Sequence, residues 1–150
     1  MKIVFGHGVS ACVILGCLAL CPGTSEADSL SATAGFVPFA SDAGCFRNLG
    51  ARMVASCNHT QTLYLPLTIA EAIHDVVINV TVPDLNHNVS CYAVVMFADG
   101  VTIAGFTGRR SAAFVGAQSI DLGTVTVPFA GTVYVGCDMQ QNSSFNSVNW

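Results

Sequence analysis

Apolar and polar residues alternate over most of this chain, and the alternation changes phase at only a few points. Val76, Ile78, Val80 and Val82 share one parity, while Val77, Asn79 and Thr81 share the other. A two-residue period of this kind marks a strand with one buried face. Leu63, Leu65, Leu67 and Ile69 alternate in the same way with Thr62, Tyr64, Pro66 and Thr68. Pro66 has no N–H to give to a neighbour, so this second strand belongs at a sheet edge. Val89, Cys91, Ala93, Val95 and Phe97 line one face of a third. Asp99-Gly100 then supplies a tight type I′ turn, and Val101 to Phe106 pairs back. Val133, Val135, Cys137 and Met139 form the inward face of the last core strand.

The remaining segments are weaker. Asp28 to Ala34 reads as a flexible start, and Gly35 to Ala40 as a short apolar segment held to an edge by Pro38. Thr68-Ile69-Ala70-Glu71 fits a helix capping box, so one helical turn and a plain linker are both open there. Ala112 to Ala117 is a strand of small residues. Ile120 and Leu122 have one parity and Val125 and Val127 the other, so the chain bulges or bends at Gly123. Gln140 to Trp150 is a polar tail whose Phe145, Val148 and Trp150 can pack back. About eight or nine short strands with turn signals between them predict an all-β fold, an antiparallel β-sandwich of immunoglobulin-like or jelly-roll type.

The N-terminal segment predicts that this sandwich is exported from the cytoplasm. Apolar residues make up 52% of the chain and charged residues 9%, far from the composition of a disordered protein. Lys2 precedes an apolar run from Val9 to Cys21, and Pro22-Gly23 and Ser25-Glu26-Ala27 follow it. That is the layout of a secretory signal peptide over residues 1–27, leaving a single domain over 28–150. Ala32-Thr33-Ala34 is an alternative processing site, and the Leu15-Gly16-Cys17 run is a poor lipidation box. The predicted location is therefore secreted or periplasmic, with no stable membrane insertion after cleavage.

Cysteine usage agrees. Cys45, Cys57, Cys91 and Cys137 remain after the leader, an even number in an exported domain, and predict two disulfides. Zinc ligands come in closer pairs than these. A Cys45–Cys57 bridge would remove about 3 kcal/mol of unfolded-state entropy and a Cys91–Cys137 bridge about 4 kcal/mol. The second resembles the bridge between the two sheets of immunoglobulin domains, but the tryptophan that packs on such a bridge is missing. Beyond the leader the positive residues are Arg47, Arg52, Arg109 and Arg110, against eight acids. This mild acidity argues against a nucleic-acid or anionic-membrane partner.

Few residues point to chemistry. Asp84, Asn86 and Asn88 resemble the start of a calcium loop, but the loop's glycine and its distal glutamate are absent, so it reads as a solvated turn. His59, His74 and His87 belong to no catalytic signature, and no metal or cofactor is implied. Asn58, Asn79, Asn88 and Asn142 head N-x-S/T sequons, which matter only in a eukaryotic secretory route. Arg109-Arg110 lies in a glycine-flanked loop suited to an anion. Tyr64 and Tyr92 fall on outward parities and, with Trp150, offer rings on which a sugar can stack. These five residues form the candidate ligand face.

Val89-Ser90-Cys91, the hairpin Phe97-Ala98-Asp99-Gly100 and the ending Tyr134-Val135-Gly136-Cys137 with its serine-rich tail are similar to small uncharacterised secreted proteins of Gram-negative bacteria. Those proteins commonly close with a Pro-Gly-Ser turn and a charged end, where this chain has Gln140-Gln141-Asn142-Ser143 and Trp150. The resemblance implies export and a disulfide-tied β domain, and it transfers no functional residue. The leading expectation is a non-enzymatic interaction or structural module with a protein or glycan partner. A carbohydrate-binding module is the alternative, and a secreted hydrolase is third.

Overall fold

The structure is a computed structural model that describes residues 28–150. The leader reading falls on residues 1–27 and lies outside them. Eleven strands form two antiparallel sheets. In chain order they are β1 (Ser29–Ser31), β2 (Phe46–Leu49), β3 (Arg52–Ala55), β4 (Gln61–Leu67), β5 (Ala72–Val82), β6 (Val89–Met96), β7 (Ile103–Phe106), β8 (Arg110–Ser111), β9 (Gly116–Val127), β10 (Thr132–Met139) and β11 (Ser144–Asn149). The first sheet has the order β2-β3-β11-β5-β9, with β1 beside β11. The second has the order β4-β10-β6-β7, with β8 beside β6.

The alternation places the core. Leu63, Leu65 and Leu67 of β4, Val89, Ala93 and Val95 of β6, and Val133, Val135 and Met139 of β10 point inward from the second sheet. Val76, Ile78 and Val80 of β5, Leu122, Val125 and Val127 of β9, and Phe145 and Val148 of β11 meet them from the first. Full burial of a valine, leucine, isoleucine, methionine or phenylalanine side chain contributes about 1.5–3 kcal/mol. Pro66 lies on β4, an edge strand, as its missing donor requires. Gly123 has a φ of 85°, and the β5–β9 register shifts opposite it, between Val76 and Val77. This bulge turns the phase so that Ile120, Leu122, Val125 and Val127 all face the core.

Several segments differ from the sequence reading. The start is not loose: β1 pairs with β11, and Ala32–Ala34, the alternative processing site, forms a 3-10 turn whose Ala32 is fully buried. The Thr68–Glu71 capping box forms no helix and is a linker into β5, which begins at Ala72. The 97–102 loop is wider than a type I′ turn. Only Gly100 has positive φ, and the Asp99 carboxylate accepts from the Val101 and Thr102 amides and the Thr102 hydroxyl. Residues 112–115 form no strand; the Gln118 side chain holds them by accepting from the Ala113 amide and donating to the Phe114 carbonyl.

The largest correction concerns the tail. Residues 144–149 form β11, a central strand between β3 and β5, with Phe145 and Val148 fully buried. These two residues are three apart, which defeats a two-residue period. A register shift between Phe145 and Ser147 sets Asn146 aside and returns both to the core.

Both disulfides are present, Cys45–Cys57 and Cys91–Cys137. The second does not join the two sheets. Cys91 and Cys137 face each other on the neighbouring strands β6 and β10, with Cα atoms 4.1 Å apart. The Gln140 amide donates to the Asn88 carbonyl at 3.1 Å, which fixes the ladder phase and makes Cys91–Cys137 a non-hydrogen-bonded pair. Such pairs bring facing side chains closest, so the bridge closes within one sheet.

Candidate ligand-binding face

The two outer faces of the sandwich have different chemistry. On the first sheet the outward residues satisfy one another in a polar ladder. Asn79 Nδ2 donates to Ser147 Oγ at 3.0 Å, Ser119 Oγ donates to Asn79 Oδ1 at 2.8 Å, and Thr124 Oγ1 donates to Asp75 Oδ1 at 2.8 Å. The Asn79 sequon amide is thus committed to the ladder. A depression of about 490 Å³ opens beside it where β1 and β3 meet β11 end to end. Its lining is serines, aliphatic residues, Asn146 and Arg52, with no aromatic ring.

The outer face of the second sheet is aromatic at its centre. Gly136 on β10 lies between Tyr64 on β4 and Tyr92 on β6. A Cβ at Gly136 would sit 2.6 Å from Tyr92 Cζ and 2.7 Å from Tyr64 Cε1. Only glycine leaves room for both rings to lean over β10. There their hydroxyls share a hydrogen bond of 2.8 Å, with the rings edge to face at 6.3 Å between centroids. Phe36 packs on Tyr64 at 5.8 Å and meets Tyr134 edge-on at 6.5 Å. Phe36 also pairs with Tyr64 through the backbone, covering part of the free edge of β4.

Tyr92 forms the base of this cluster. Phe106 lies against its ring at 5.6 Å and the Arg109 guanidinium stacks over it at 4.6 Å, leaving it 7% exposed. Burial, and then the bond to Tyr64, push its phenol up to about 12. Thr107 fastens the covering segment to β6: its amide donates to the Ala93 carbonyl and its hydroxyl accepts from the Ala93 amide. The open part of the face is a cleft of about 260 Å³ lined by Phe36, Pro38, Tyr64, Val94, Met96 and Tyr134.

Towards the other end of β10 the face becomes polar. Asp138 accepts from Thr62 Oγ1 at 2.8 Å and pairs with Arg109. Beyond it Thr60, Asn88, Ser90, Asp138 and Gln140 line a smaller recess of about 200 Å³.

The candidate ligand residues therefore separate. Tyr64, Tyr92 and Arg109 come together on this face. Arg110 turns away, its guanidinium 3.9 Å from where a Gly123 Cβ would stand, at the edge of the first sheet. Successive residues of an extended chain point to opposite sides, so the two arginines cannot act as one clamp. Trp150 packs against the core at the end of β11, and its amide donates to the Asp28 carbonyl at 3.1 Å. Phe36, Tyr134 and Asp138 were absent from the sequence-derived set. Tyr134 and Asp138 share the outward parity of Gly136, and that parity was the available signal.

The titratable clusters elsewhere hold loops. Asp42 is buried and accepts from His59 Nε2 at 3.1 Å, Ser41 Oγ at 3.1 Å and the Thr62 amide at 3.4 Å. The His59 bond is the main cause holding the Asp42 carboxyl below its usual value of 3.8. Ser41, Asp42 and His59 meet, but the serine bonds the carboxylate and not the imidazole, so no base contacts a nucleophile here. Cys45, Cys57 and His59 also converge, but the two sulfurs are bonded to each other. In the Asp84–Asn88 loop the Asp84 carboxylate accepts from His87 Nδ1 at 2.8 Å and the Asn86 amide at 2.8 Å, as an Asx turn does.

No protein-family model and no curated protein matches the sequence. Solved structures of similar outline include a carbohydrate-binding module of Cellvibrio mixtus lichenase 5A in complex with cellotriose, at 12% identity and a TM-score of 0.42. That match covers 81% of this chain and 94% of the other. TmCBM61 in complex with beta-1,4-galactotriose matches at 10% identity and a TM-score of 0.43, over 84% of this chain and 88% of the other. The Podospora anserina GH26-CBM35 beta-(1,4)-mannanase matches at 11% identity and a TM-score of 0.48, over 82% of this chain. This chain spans 27% of the mannanase.

Proposed function

We propose that this protein is an exported binding module that takes a glycan on the outer face of its second sheet. One observation carries the reading: an aromatic cluster centred on Gly136 runs directly into hydrogen-bonding groups on the same solvent-facing surface. A sugar ring has an apolar C–H face and a rim of hydroxyls. It is held by aromatic rings under the first and by carboxylate, guanidinium, amide and hydroxyl groups along the second. Phe36, Tyr64 and Tyr134 supply the rings, and Asp138, Arg109, Thr62 and Gln140 supply the polar groups.

Tyr92 is covered and Trp150 lies at the end of the other sheet, so Phe36→Ala and Tyr134→Ala are the informative changes. On a glycan array, the wild-type chain is expected to retain at least one glycan class. Each of the two variants should weaken that binding by about tenfold, the worth of one stacked ring. An array with no retained glycan overturns the reading. So does retention unaffected by both variants, because it places the ligand elsewhere.

A further inference from the structure

The charge arrangement on this face points to its ligand class, and we infer that the module selects neutral glycan chains over acidic ones. The inference rests on the glycan-binding reading above and concerns the same site. Of the four arginines in the described residues, Arg47 and Arg52 belong to the β2–β3 hairpin of the first sheet, and Arg110 points to that sheet's edge. Only Arg109 reaches the outer face of the second sheet, and it is already paired with Asp138 while stacked on Tyr92. The nearby histidines are engaged with acids too, His59 with Asp42 and His87 with Asp84. A sugar carboxylate accepting from the free edge of Arg109 would stand beside Asp138, whose carboxylate already neutralises that guanidinium and is 20% exposed. Like charges at such a distance repel, and none of the other described arginines reaches this face to offset them.

A neutral sugar meets no such penalty. Its hydroxyls can donate to the remaining lone pairs of Asp138 and accept from the free edge of Arg109, which is 52% exposed, without separating them. The face also has the length for a chain. Tyr134, Gly136, Asp138 and Gln140 follow one another on or just beyond β10, so the surface from the aromatic cleft to the polar recess runs for roughly 20 Å. A polymer lying along β10 places rings on the aromatic end and hydroxyls on the polar end.

Affinity gels cast with neutral polymers (hydroxyethylcellulose, galactomannan, xyloglucan) and with acidic ones (polygalacturonate, alginate) test this at near-physiological salt. The wild-type chain is expected to be retarded by a neutral polymer and not by the acidic pair. Asp138→Asn removes the counter-charge of Arg109 and should gain about tenfold in affinity for polygalacturonate, fading as salt is raised. Arg109→Gln should show no such gain. Wild-type retardation by polygalacturonate or alginate equal to or above that by every neutral polymer overturns the inference and leaves the glycan reading standing. Retardation by no polymer at all overturns both. An Asp138→Asn chain with native circular dichroism and no gain on polygalacturonate also overturns the inference, and if that variant does not fold, the wild-type comparison alone decides.

Discussion

At the scale of single residues, Gly136 and Asp42 do the most with the fewest atoms. Gly136 has no role in a turn; it clears the space in which Tyr64 and Tyr92 join hydroxyls. Gly136→Ala would push the far ends of both rings aside, at a cost of about 1–3 kcal/mol, while the fold persists. The Tyr92 phenol would then lose part of its shelter. Its folded value, about 12, exceeds its ordinary value of 10.0, so it contributes stability below pH 10 that is lost as pH rises towards 12. Ultraviolet titration should find the Tyr92 phenol ionising late in the wild type and earlier in Gly136→Ala. Asp42 acts in the opposite sense. Its folded value lies below 3.8, so its contribution is present above that pH and is lost as pH falls below it. Melting temperatures measured down this range should drop less steeply in Asp42→Asn than in the wild type. At neutral pH, Asp42→Ala leaves the Thr62 amide and His59 without their acceptor and should cost about 1–3 kcal/mol.

At the scale of elements, β11 is the strand on which the first sheet depends. It pairs with β5 on one side and with both β3 and β1 on the other, so the β2–β3 hairpin and β1 join the first sheet only through it. Phe145→Ala should therefore cost about 3–5 kcal/mol by urea unfolding, a large part of a typical domain's stability. Phe129→Ala, in an 80%-exposed turn, should change stability by less than about 0.5 kcal/mol. Equal effects of the two substitutions would contradict a central β11.

At the scale of the whole molecule, the sandwich carries a polar ladder on one outer face and an aromatic cluster on the other. The bridges hold this arrangement at two levels. Cys45–Cys57 spans 12 positions and ties the β2–β3 hairpin to the loop before β4, while Cys91–Cys137 spans 46 and fastens the two central strands beneath the aromatic face. Replacing Cys91 and Cys137 together by alanine should cost about 4 kcal/mol of stability from loop entropy alone. Because Tyr92 and Gly136 adjoin those cysteines, the same double variant should also weaken glycan retention in the folded fraction.

Much of this molecule was legible in its sequence because a strand with one buried face writes its period directly into the chain. Val76–Val82, Val89–Val95 and Val133–Met139 specify inward and outward sides with no outside information, and Pro66 and Gly123 mark an edge and a bulge by their own backbone chemistry. The outward parity of Tyr64 and Tyr92 followed from the same rule. Parity fixes only which side of a strand a residue takes; it does not say which strands are neighbours. Only the tertiary structure put Cys91 and Cys137 on adjacent strands of one sheet, because register is set by pairing over the whole ladder. It alone made a central strand of the polar tail, since a one-residue bulge erased the period between Phe145 and Val148. It also gathered Phe36, Tyr64, Tyr92, Tyr134, Arg109 and Asp138 from five separate stretches of chain onto one face, because hydrogen-bonded strands bring together residues that are far apart in sequence.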